Sequence, residues 1–267
     1  MTSVSFVIPV FNKEKYLRFV LDSLKNQKGT FQREFIFVND GSTDNSLLLL
    51  RSQTKNWKNT KIINQKNKGS ASATNVGIKL AKNKYIKFLD ADDLILYDAT
   101  DSLLKIIERS EQINLVYGLQ RKVNDFSKVD LNIKTNTERT SIIKDPIMSA
   151  MKNSMFNPSQ FIVRTDLCKK VKGCDERIVH SQEYSLTLRL SIYGDKGAVH
   201  WYQENPNYAT LSKVGQTNQI ITRGGSIKQE DSSSNTRIPA GHPEGYLEAF
   251  AQIYSDVADV IQNKENK

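Results

Sequence analysis

Short strand-like segments and helical segments alternate four times in the N-terminal part of the chain, and this alternation constrains the fold more than any other feature. The predicted strands are Val4–Phe11, Glu34–Val38, a segment at Ile62 and Ile63, and a segment that begins at Tyr85. Between them apolar residues recur at helical spacing, as they do from Glu14 to Asn26. A repeat of this kind predicts an α/β fold in which a mostly parallel sheet is flanked by helices on both faces. Ligands of such sheets bind outside the carboxyl ends of the strands.

The fourth strand runs into a group of carboxylates, in the stretch Tyr85–Asp93 that reads Tyr-Ile-Lys-Phe-Leu-Asp-Ala-Asp-Asp. Successive side chains of a strand point to opposite faces, so Asp90 and Asp92 point the same way if the extended geometry persists. Two such carboxylates repel each other unless a cation lies between them, and hard oxygen ligands suit Mg²⁺ or Mn²⁺. The alternative is a solvated acidic turn that precedes a helix.

Polar residues also follow two of the other predicted strands. Pro9 lies near the end of the first strand and is followed by Asn12. Because proline cannot donate to a strand ladder, we expect this strand to end or bend at Pro9. Asp40 opens the turn after the second strand, and the three strand ends are expected to meet at one edge of the sheet. No Gly-x-Gly-x-x-Gly follows the first strand and no Walker A Lys-Ser/Thr pair is present, which argues against a dinucleotide site and a P-loop nucleoside triphosphatase.

Four segments carry a resemblance to a known family: Val7–Asn12, Val38–Asp44, Asn67–Gly77 and Phe88–Asp93. In this order and spacing they resemble the family 2 glycosyltransferases of the GT-A fold, and the resemblance covers roughly residues 1–195. It implies an inverting transferase that uses a nucleotide-sugar donor, expected to be a UDP-sugar, and a divalent metal ion, Mn²⁺ or Mg²⁺. The implied acceptor is a saccharide or a lipid-linked hydroxyl, in the synthesis of cell-surface polysaccharide or another glycan.

The resemblance also implies roles for individual residues on the donor side. Pro9, Phe11 and Asn12 would line the nucleotide pocket. Asp40 would face the base of the nucleotide, and Asp90 would lie near the ribose.

The remaining roles are those of the metal ligand and the catalytic base. Asp92 would hold the metal ion on the diphosphate, and Glu183 would take the proton of the acceptor hydroxyl. From the residues alone, Glu183 is equally well explained as a first-turn glutamate favoured by the helix dipole. The chain also departs from the family pattern: Gln182 replaces an acidic residue beside the base, Asn39 stands where Asp is frequent, and Thr74 stands where Arg is frequent. The missing arginine removes one donor-side contact.

The sequence changes character from about Trp201, where turn residues become frequent ahead of a predicted helix from Leu247 to Gln262. This tail, and above all the run Gly241–Tyr246, resembles the C-terminal end of an oxidoreductase of the Gfo/Idh/MocA type. We therefore expect a GT-A domain over residues 1–198 and an oxidoreductase-like fragment over 199–267. The fragment is expected to be a small irregular appendage that ends in a helix and does not fold on its own.

Composition bears on partners and location. The net charge of +9 comes from lysines scattered among asparagines, without the interleaved aromatic residues of a single-strand binder, so we expect no nucleic-acid partner. Weak peripheral association with an anionic membrane surface stays open. The chain has neither an apolar run that could span a membrane nor a secretory signal pattern, which predicts a cytoplasmic location, with the inner face of the membrane as an alternative. Two cysteines are too few for a disulfide framework.

Three functions of different classes remain open from the sequence. The leading one is a metal-dependent glycosyltransferase. The second is a catalytically impaired fusion protein that binds a nucleotide sugar, which is favoured by Asn39, Thr74 and the change of character after Glu183. The third is a sugar oxidoreductase, which rests on the tail alone.

Overall fold

The computed structural model describes residues 2–135, 140–141, 157–176 and 186, together with the backbone of three strands between residues 197 and 222. The chain divides into two compact units, Met1–Ser191 and Ile192–Lys267. The elements of the first unit are, in chain order, β1 (Ser3–Val10), α1 (Glu14–Lys25), β2 (Gln32–Asp40), α2 (Ser46–Gln53), β3 (Thr60–Gln65), α3 (Ser70–Leu80), β4 (Tyr85–Phe88), α4 (Ala99–Ile107), β5 (Leu115–Tyr117), β6 (Phe161–Arg164) and α5 (Thr165–Lys170), with short 3₁₀ helices at Phe126–Lys128 and Pro158–Gln160. No helix in the described ranges has the length and apolar character needed to cross a membrane.

The six strands described in the first unit form one sheet in the order β3-β2-β1-β4-β6-β5. β1 is parallel to both of its neighbours, β2 is parallel to β3, and β6 runs antiparallel to β4 and β5. The predicted α/β class with a mostly parallel sheet flanked by helices is thereby confirmed. After β3 the chain returns to the opposite side of β1 to form β4, so the strand order reverses between β1 and β4. In open α/β sheets ligands bind at such a reversal, outside the carboxyl ends of the strands.

Helices cover both faces of β1. One face joins a single apolar cluster, which includes Val4, Phe6, Ile8 and Val10 of β1, Leu17, Val20, Leu21 and Leu24 of α1, and Leu103, Leu104 and Ile107 of α4. The α1 members repeat at the helical spacing seen in the sequence. On the other face α3 approaches β1 so closely that a Cβ atom on Gly77 would lie 2.2 Å from Cγ1 of Val7. Residue 77 therefore has to be glycine for α3 to pack where it does.

β1 continues one residue beyond Pro9, so the strand ends at Val10 and not at the proline itself. It stays in register with β2 through Val10. On its other side the pairing with β4 ends at Val7, whose carbonyl oxygen accepts from the Leu89 N–H at 3.1 Å. Backbone groups two residues apart in a strand point to the same side, so the missing N–H of Pro9 faces the region where β4 has already ended. The proline therefore removes no ladder hydrogen bond.

The second unit contains an antiparallel sheet of three described strands in the order β7-β8-β9, which are β7 (Gly197–Tyr202), β8 (Asn205–Lys213) and β9 (Gln219–Thr222). The predicted boundary between residues 198 and 199 falls inside β7, whereas the compact units divide after Ser191. The predicted helix at 247–262 lies outside the described residues. The division into a transferase domain and an oxidoreductase-like fragment stays a prediction.

We expect Gly77→Ala to lower the free energy of unfolding, although alanine is the better helix former by about 1 kcal/mol. Overpacking a methyl group against Val7 costs about 1–3 kcal/mol in a well-packed core, and urea denaturation measures the difference. Gly118→Ala is the matched control, because a Cβ atom there would meet nothing within 4 Å. A Gly77→Ala protein as stable as the wild type would contradict the close contact between α3 and β1.

Candidate functional site

The segments that follow β1 and β2 are bound to each other. The Asn12 side-chain oxygen accepts from the Thr43 N–H at 2.8 Å, and the Asn12 N–H donates to Ser42 Oγ at 3.0 Å. Asn12 has a φ of 52°, a left-handed conformation that asparagine tolerates better than most residues. Beside it the Phe11 side chain is 45% exposed. The loop after β1 is thus fixed by its neighbour, and it leaves an aromatic ring open to solvent.

Asp40, at the end of β2, holds the segment that leads into α3. The residue is only 2% exposed. One carboxylate oxygen accepts from Gln65 Nε2 at 2.8 Å and from the Lys68 N–H at 2.9 Å, and the other accepts from the Gly69 N–H at 2.8 Å. These bonds occupy three of the roughly four acceptor positions of a carboxylate. Asp40 therefore shapes this edge of the sheet from within, and its predicted role towards the base of a nucleotide stays a prediction.

The carboxylates after β4 lie in a turn. β4 ends at Phe88, and the Asp93 N–H donates to the Asp90 carbonyl oxygen at 3.0 Å. We call residues Asp90–Asp93 the acidic turn. The extended geometry that was expected to align Asp90 with Asp92 therefore does not persist, because the chain folds back directly after the strand. The turn is joined to a distant segment, since the Asp90 N–H donates to Ser159 Oγ at 3.0 Å.

An ion pair connects the acidic turn to the segment after β1. Lys13 Nζ lies 2.5 Å from Asp92 Oδ2, and the two side chains are 32% and 40% exposed. The Lys13 N–H donates to Ser46 Oγ at 2.8 Å, which places the start of α2 at the same edge. The segments after β1, β2 and β4 thus converge at one edge of the sheet, as the sequence pattern predicts.

Two carboxylates fix the first turns of α1 and α2. Asp44 accepts from the Glu14 N–H at 3.1 Å and from the Ser46 N–H at 2.9 Å, and the Asn45 N–H donates to Glu14 Oε2 at 2.7 Å. Burial opposes ionisation of Asp44, but the hydrogen bonds from Ser46 and Glu14 outweigh it and hold its pKa below the usual range. Negative charge also suits the positive end of a helix dipole. Both helices therefore begin in a fixed place beside the converging loops.

A buried lysine lies next to the acidic turn. Lys87, in β4, is only 1% exposed, and its Nζ donates to the Phe88 carbonyl oxygen at 3.0 Å and to the Ser159 carbonyl oxygen. Burial lowers the pKa of Lys87 to about 7, although the charges of Asp93 and Asp90 act in the opposite direction. The ammonium group is thus buried close to the carboxylates of Asp90 and Asp93.

The structure therefore gathers most of the predicted site residues and adds others. Phe11, Asn12 and the acidic turn lie at the converging edge, Pro9 lies within β1 just before it, and Glu183 lies outside the described residues. Sequence reasoning missed Lys13, Lys87 and Ser159. Only Lys87 left a signal, since it is a lysine inside an otherwise apolar strand.

The donor atoms at this edge fit a divalent cation that takes part of its coordination from a substrate. Among the described residues, no group of three or more His, Cys, Asp or Glu side chains is placed to hold a metal ion. Mg²⁺ is commonly bound through one or two carboxylates together with substrate phosphates. The acidic turn supplies carboxylates of that kind, and Asp92 already binds a cationic group there.

The family assignment follows from a direct match. A model described as Glycosyl transferase family 2 matches residues 5–171. The chain belongs to glycosyl transferase family 2. The predicted family and the predicted GT-A fold are both confirmed.

A curated relative agrees with this assignment, and solved structures share the fold. The chain is 30% identical over 191 residues to a chondroitin synthase of Pasteurella multocida, a match that covers 72% of this chain and 19% of the relative. The chain thus spans about a fifth of that relative's length. The crystal structure of S. aureus TarS 1-349 in complex with UDP-GlcNAc has a TM-score of 0.54 and 22% identity, covering 70% of this chain and 52% of the other. The mannosyltransferase PcManGT from Pyrobaculum calidifontis, in complex with GDP-Man and Mn²⁺, has a TM-score of 0.52 and 16% identity, covering 68% and 50%.

A further match concerns an oxidoreductase. The crystal structure of oxidoreductase from Sinorhizobium meliloti is 44% identical over 27% of this chain and 20% of its own, with a TM-score of 0.25. A TM-score of that size carries no argument about the fold. The resemblance of the tail to an oxidoreductase stays a prediction.

We expect Lys13→Met to raise the affinity of the protein for Mn²⁺, measured by isothermal titration calorimetry without nucleotide. The Lys13 ammonium group occupies an Asp92 oxygen that a cation would use. Partly exposed ion pairs contribute about 0.2–1 kcal/mol, which corresponds to an affinity gain of about 1.5- to 5-fold. Lys15→Met removes the same charge at an exposed position nearby and is the control. An equal gain in both variants would assign the effect to net charge and contradict competition at Asp92.

Proposed function

We propose that this chain transfers a sugar, with inversion, from a nucleotide-diphosphate sugar to an acceptor hydroxyl. The observation that carries the proposal is the convergence of the segments after β1, β2 and β4, in a member of glycosyl transferase family 2. The similarity to TarS, solved with UDP-GlcNAc, supports a UDP-sugar as the donor. The similarity to a chondroitin synthase supports a saccharide acceptor in polysaccharide synthesis, with a lipid-linked acceptor as the alternative.

On the donor side, the described geometry suggests how the roles divide. The exposed ring of Phe11 offers a face on which a nucleotide base can stack, since base–aromatic stacking is favourable for every base. The side chains of Asn12 and Asp40 accept hydrogen bonds from backbone N–H groups of the protein itself. We therefore propose that they shape the pocket, together with Pro9. Asp90 would lie towards the ribose.

We propose that Asp92 holds a divalent cation, Mn²⁺ or Mg²⁺, against the donor diphosphate. A bound cation would stabilise the negative charge of the departing diphosphate. The complex of the mannosyltransferase with Mn²⁺ supports this choice of cofactor. Lys13 would leave Asp92 when the cation binds, which places a second positive charge beside the phosphates.

The transfer step that we propose balances as a single displacement. The acceptor oxygen forms a bond to the anomeric carbon while the bond from that carbon to the diphosphate oxygen breaks. The nucleoside diphosphate leaves with the electron pair of the broken bond. Glu183 takes the proton of the acceptor hydroxyl, as a general base within hydrogen-bond reach of it would. This assignment rests on the family resemblance, because Glu183 lies outside the described residues.

The place of action follows from the nature of the substrates and the charge of the chain. We propose that the protein acts in the cytoplasm, where nucleotide sugars are available, and meets lipid-linked acceptors at the inner face of the membrane. Its net charge of +9 would favour weak binding to anionic lipid headgroups. We propose no nucleic-acid partner.

A donor screen tests the function. We expect Mn²⁺-dependent transfer or hydrolysis from a UDP-sugar in a panel of nucleotide sugars, and loss of activity when a chelator removes the cation. Asp92→Ala should lower kcat/KM by roughly 100-fold or more, because a metal ion supplies several kcal/mol of charge stabilisation. Asp130→Ala, which removes an exposed carboxylate elsewhere, is the control. Nucleotide binding without turnover would favour the impaired fusion protein, and NAD(P)-dependent oxidation would favour an oxidoreductase.

The base assignment is tested by Glu183→Gln. Glutamine keeps the size of the side chain but does not accept the proton, so we expect kcat to fall by about 10²- to 10⁴-fold while the affinity for UDP changes little. Glu176→Gln makes the same chemical change at a residue that accepts a hydrogen bond from Asn75 Nδ2 at 3.0 Å, and it serves as the control. Near-normal transfer by Glu183→Gln would remove this assignment.

A further inference from the structure

Lys87 occupies a core position of β4 where an apolar side chain would be expected. Its register partners on the two neighbouring strands are Phe6 and Ile162, and both belong to the buried apolar cluster. Lysine is almost never fully buried unless its charge is compensated, because removing an ammonium group from water costs several kcal/mol. An apolar side chain would fill this core position without that cost. The proposed transfer reaction gives Lys87 no role.

The hydrogen bonds of Lys87 point to what it does. Its Nζ donates to the carbonyl oxygen of Phe88, the last residue of β4, and to the carbonyl oxygen of Ser159. Ser159 Oγ in turn accepts from the Asp90 N–H at 3.0 Å. Ser159 is therefore bound twice, once by Lys87 and once by the first residue of the acidic turn. These bonds close a clamp between the end of β4 and the segment that precedes β6.

We propose that Lys87 is a positioning residue, which acts through Ser159 to fix the shape of the acidic turn and so the placement of Asp90 and Asp92. The consequence for donor binding rests on the proposed function, whereas the effect on the turn does not. β4 has only four residues and ends before the turn begins. The ladder between β4 and β1 ends with the bond from the Leu89 N–H to the Val7 carbonyl oxygen. After Leu89, the hydrogen bonds of Lys87 and of the Asp90 N–H to Ser159 hold the chain in place.

The charge of Lys87 fits the same role. Asp90 and Asp93 both act on its ammonium group, and their attraction opposes the effect of burial. Several carboxylates in one short turn repel each other, and a cation held close by reduces that repulsion. Lys13 meets the same turn at Asp92 from the exposed side. The acidic turn is thus held between a fixed buried lysine and an exposed one.

A purely stabilising role predicts different behaviour. Replacing a buried charge by an apolar side chain of similar volume is often neutral or stabilising for the fold. A residue that serves only the core would therefore tolerate Lys87→Met without a local effect. If Lys87 positions the turn, its replacement should loosen the acidic turn alone and leave the rest of the sheet intact.

Amide hydrogen exchange, read by mass spectrometry without any ligand, tests the inference directly. Lys87→Met should speed exchange at Asp90 and Asp93 by about 10-fold or more, because hydrogen bonds donated by a charged group are among the stronger ones in a protein. Ser159→Ala should do the same, since it removes the acceptor of the Asp90 N–H. Exchange in β1 and β2 should stay unchanged. The control is Lys84→Met, which removes an exposed lysine just before β4 and should leave the turn unaffected.

A second arm measures the consequence for the site. The tightest-binding nucleotide among UDP, GDP and CDP is identified for the wild type in Mn²⁺. We expect its Kd to rise about 10-fold in Lys87→Met and in Ser159→Ala. In the double variant Lys87→Met/Ser159→Ala, the rise in Kd should be far smaller than the product of the two single-variant rises. The effects of residues in one hydrogen-bond network are not additive in free energy. Lys87→Gln, which keeps an N–H donor without the charge, should restore part of the affinity.

The outcomes separate the two proposals. Unchanged exchange at the acidic turn in Lys87→Met would overturn the positioning role, whether or not a nucleotide binds and whatever Ser159→Ala does. Faster exchange throughout the sheet in both variants would overturn it as well, because the effect would then be one of global stability. A wild type that binds no nucleotide would defeat the proposed function, while the exchange experiment still decides the role of Lys87. If Lys87→Met does not fold, Lys87→Leu is the second apolar replacement, and unchanged exchange at the acidic turn in that variant would likewise overturn the positioning role.

Discussion

The parallel pairing of β1 with β2 on one side and with β4 on the other decides where the functional side chains of the first unit lie. Parallel neighbours end at the same edge of a sheet, so the segments that leave β1, β2 and β4 have to meet there. β1 also carries the apolar side chains that join α1 and α4 to the sheet. The edge that gathers the polar residues is therefore built on a central and largely buried strand, and a rigid support is what a precise site needs.

Several carboxylates close together at that edge repel each other, and nearby lysines reduce this repulsion. The acidic turn places several carboxylates within four residues, and it is faced by Lys13 on the exposed side and Lys87 on the buried side. The two lysines differ in what they can do. Lys13 belongs to a partly exposed pair of small free energy, which a metal ion can displace. Lys87 is buried, so its position changes only if the turn itself moves.

Sequence reasoning predicted the alternation of strands and helices because periodicity and turn residues are local signals. It also predicted that Asn12, Asp40 and the aspartates after β4 share one edge, since that follows from parallel strands alone. At the end of β4 it left two possibilities open, an acidic turn or a strand alternation that persists through Asp90 and Asp92, and the chain forms the turn instead of the alternation. The turn that replaces it is held through Ser159, which lies 69 residues from Asp90 in sequence. A local pattern carries no information about a partner at that distance. Lys87 did leave a local signal, as a lysine inside an apolar strand, but its partner Ser159 lies 72 residues away.

The residues predicted to bind the donor divide into two groups by what their side chains do without it. The side-chain oxygens of Asn12 and Asp40 accept hydrogen bonds from backbone N–H groups of neighbouring loops, so these two residues hold the loops around the proposed pocket in position. Phe11 is exposed, and the partner of Asp92 within the described part of the chain is a lysine that solvent reaches, so these two can be reached by a ligand. A donor that bound there as proposed would meet loops already in place and would displace one weak ion pair. Preorganisation of this kind lowers the cost of binding, because little chain has to be ordered when the donor arrives.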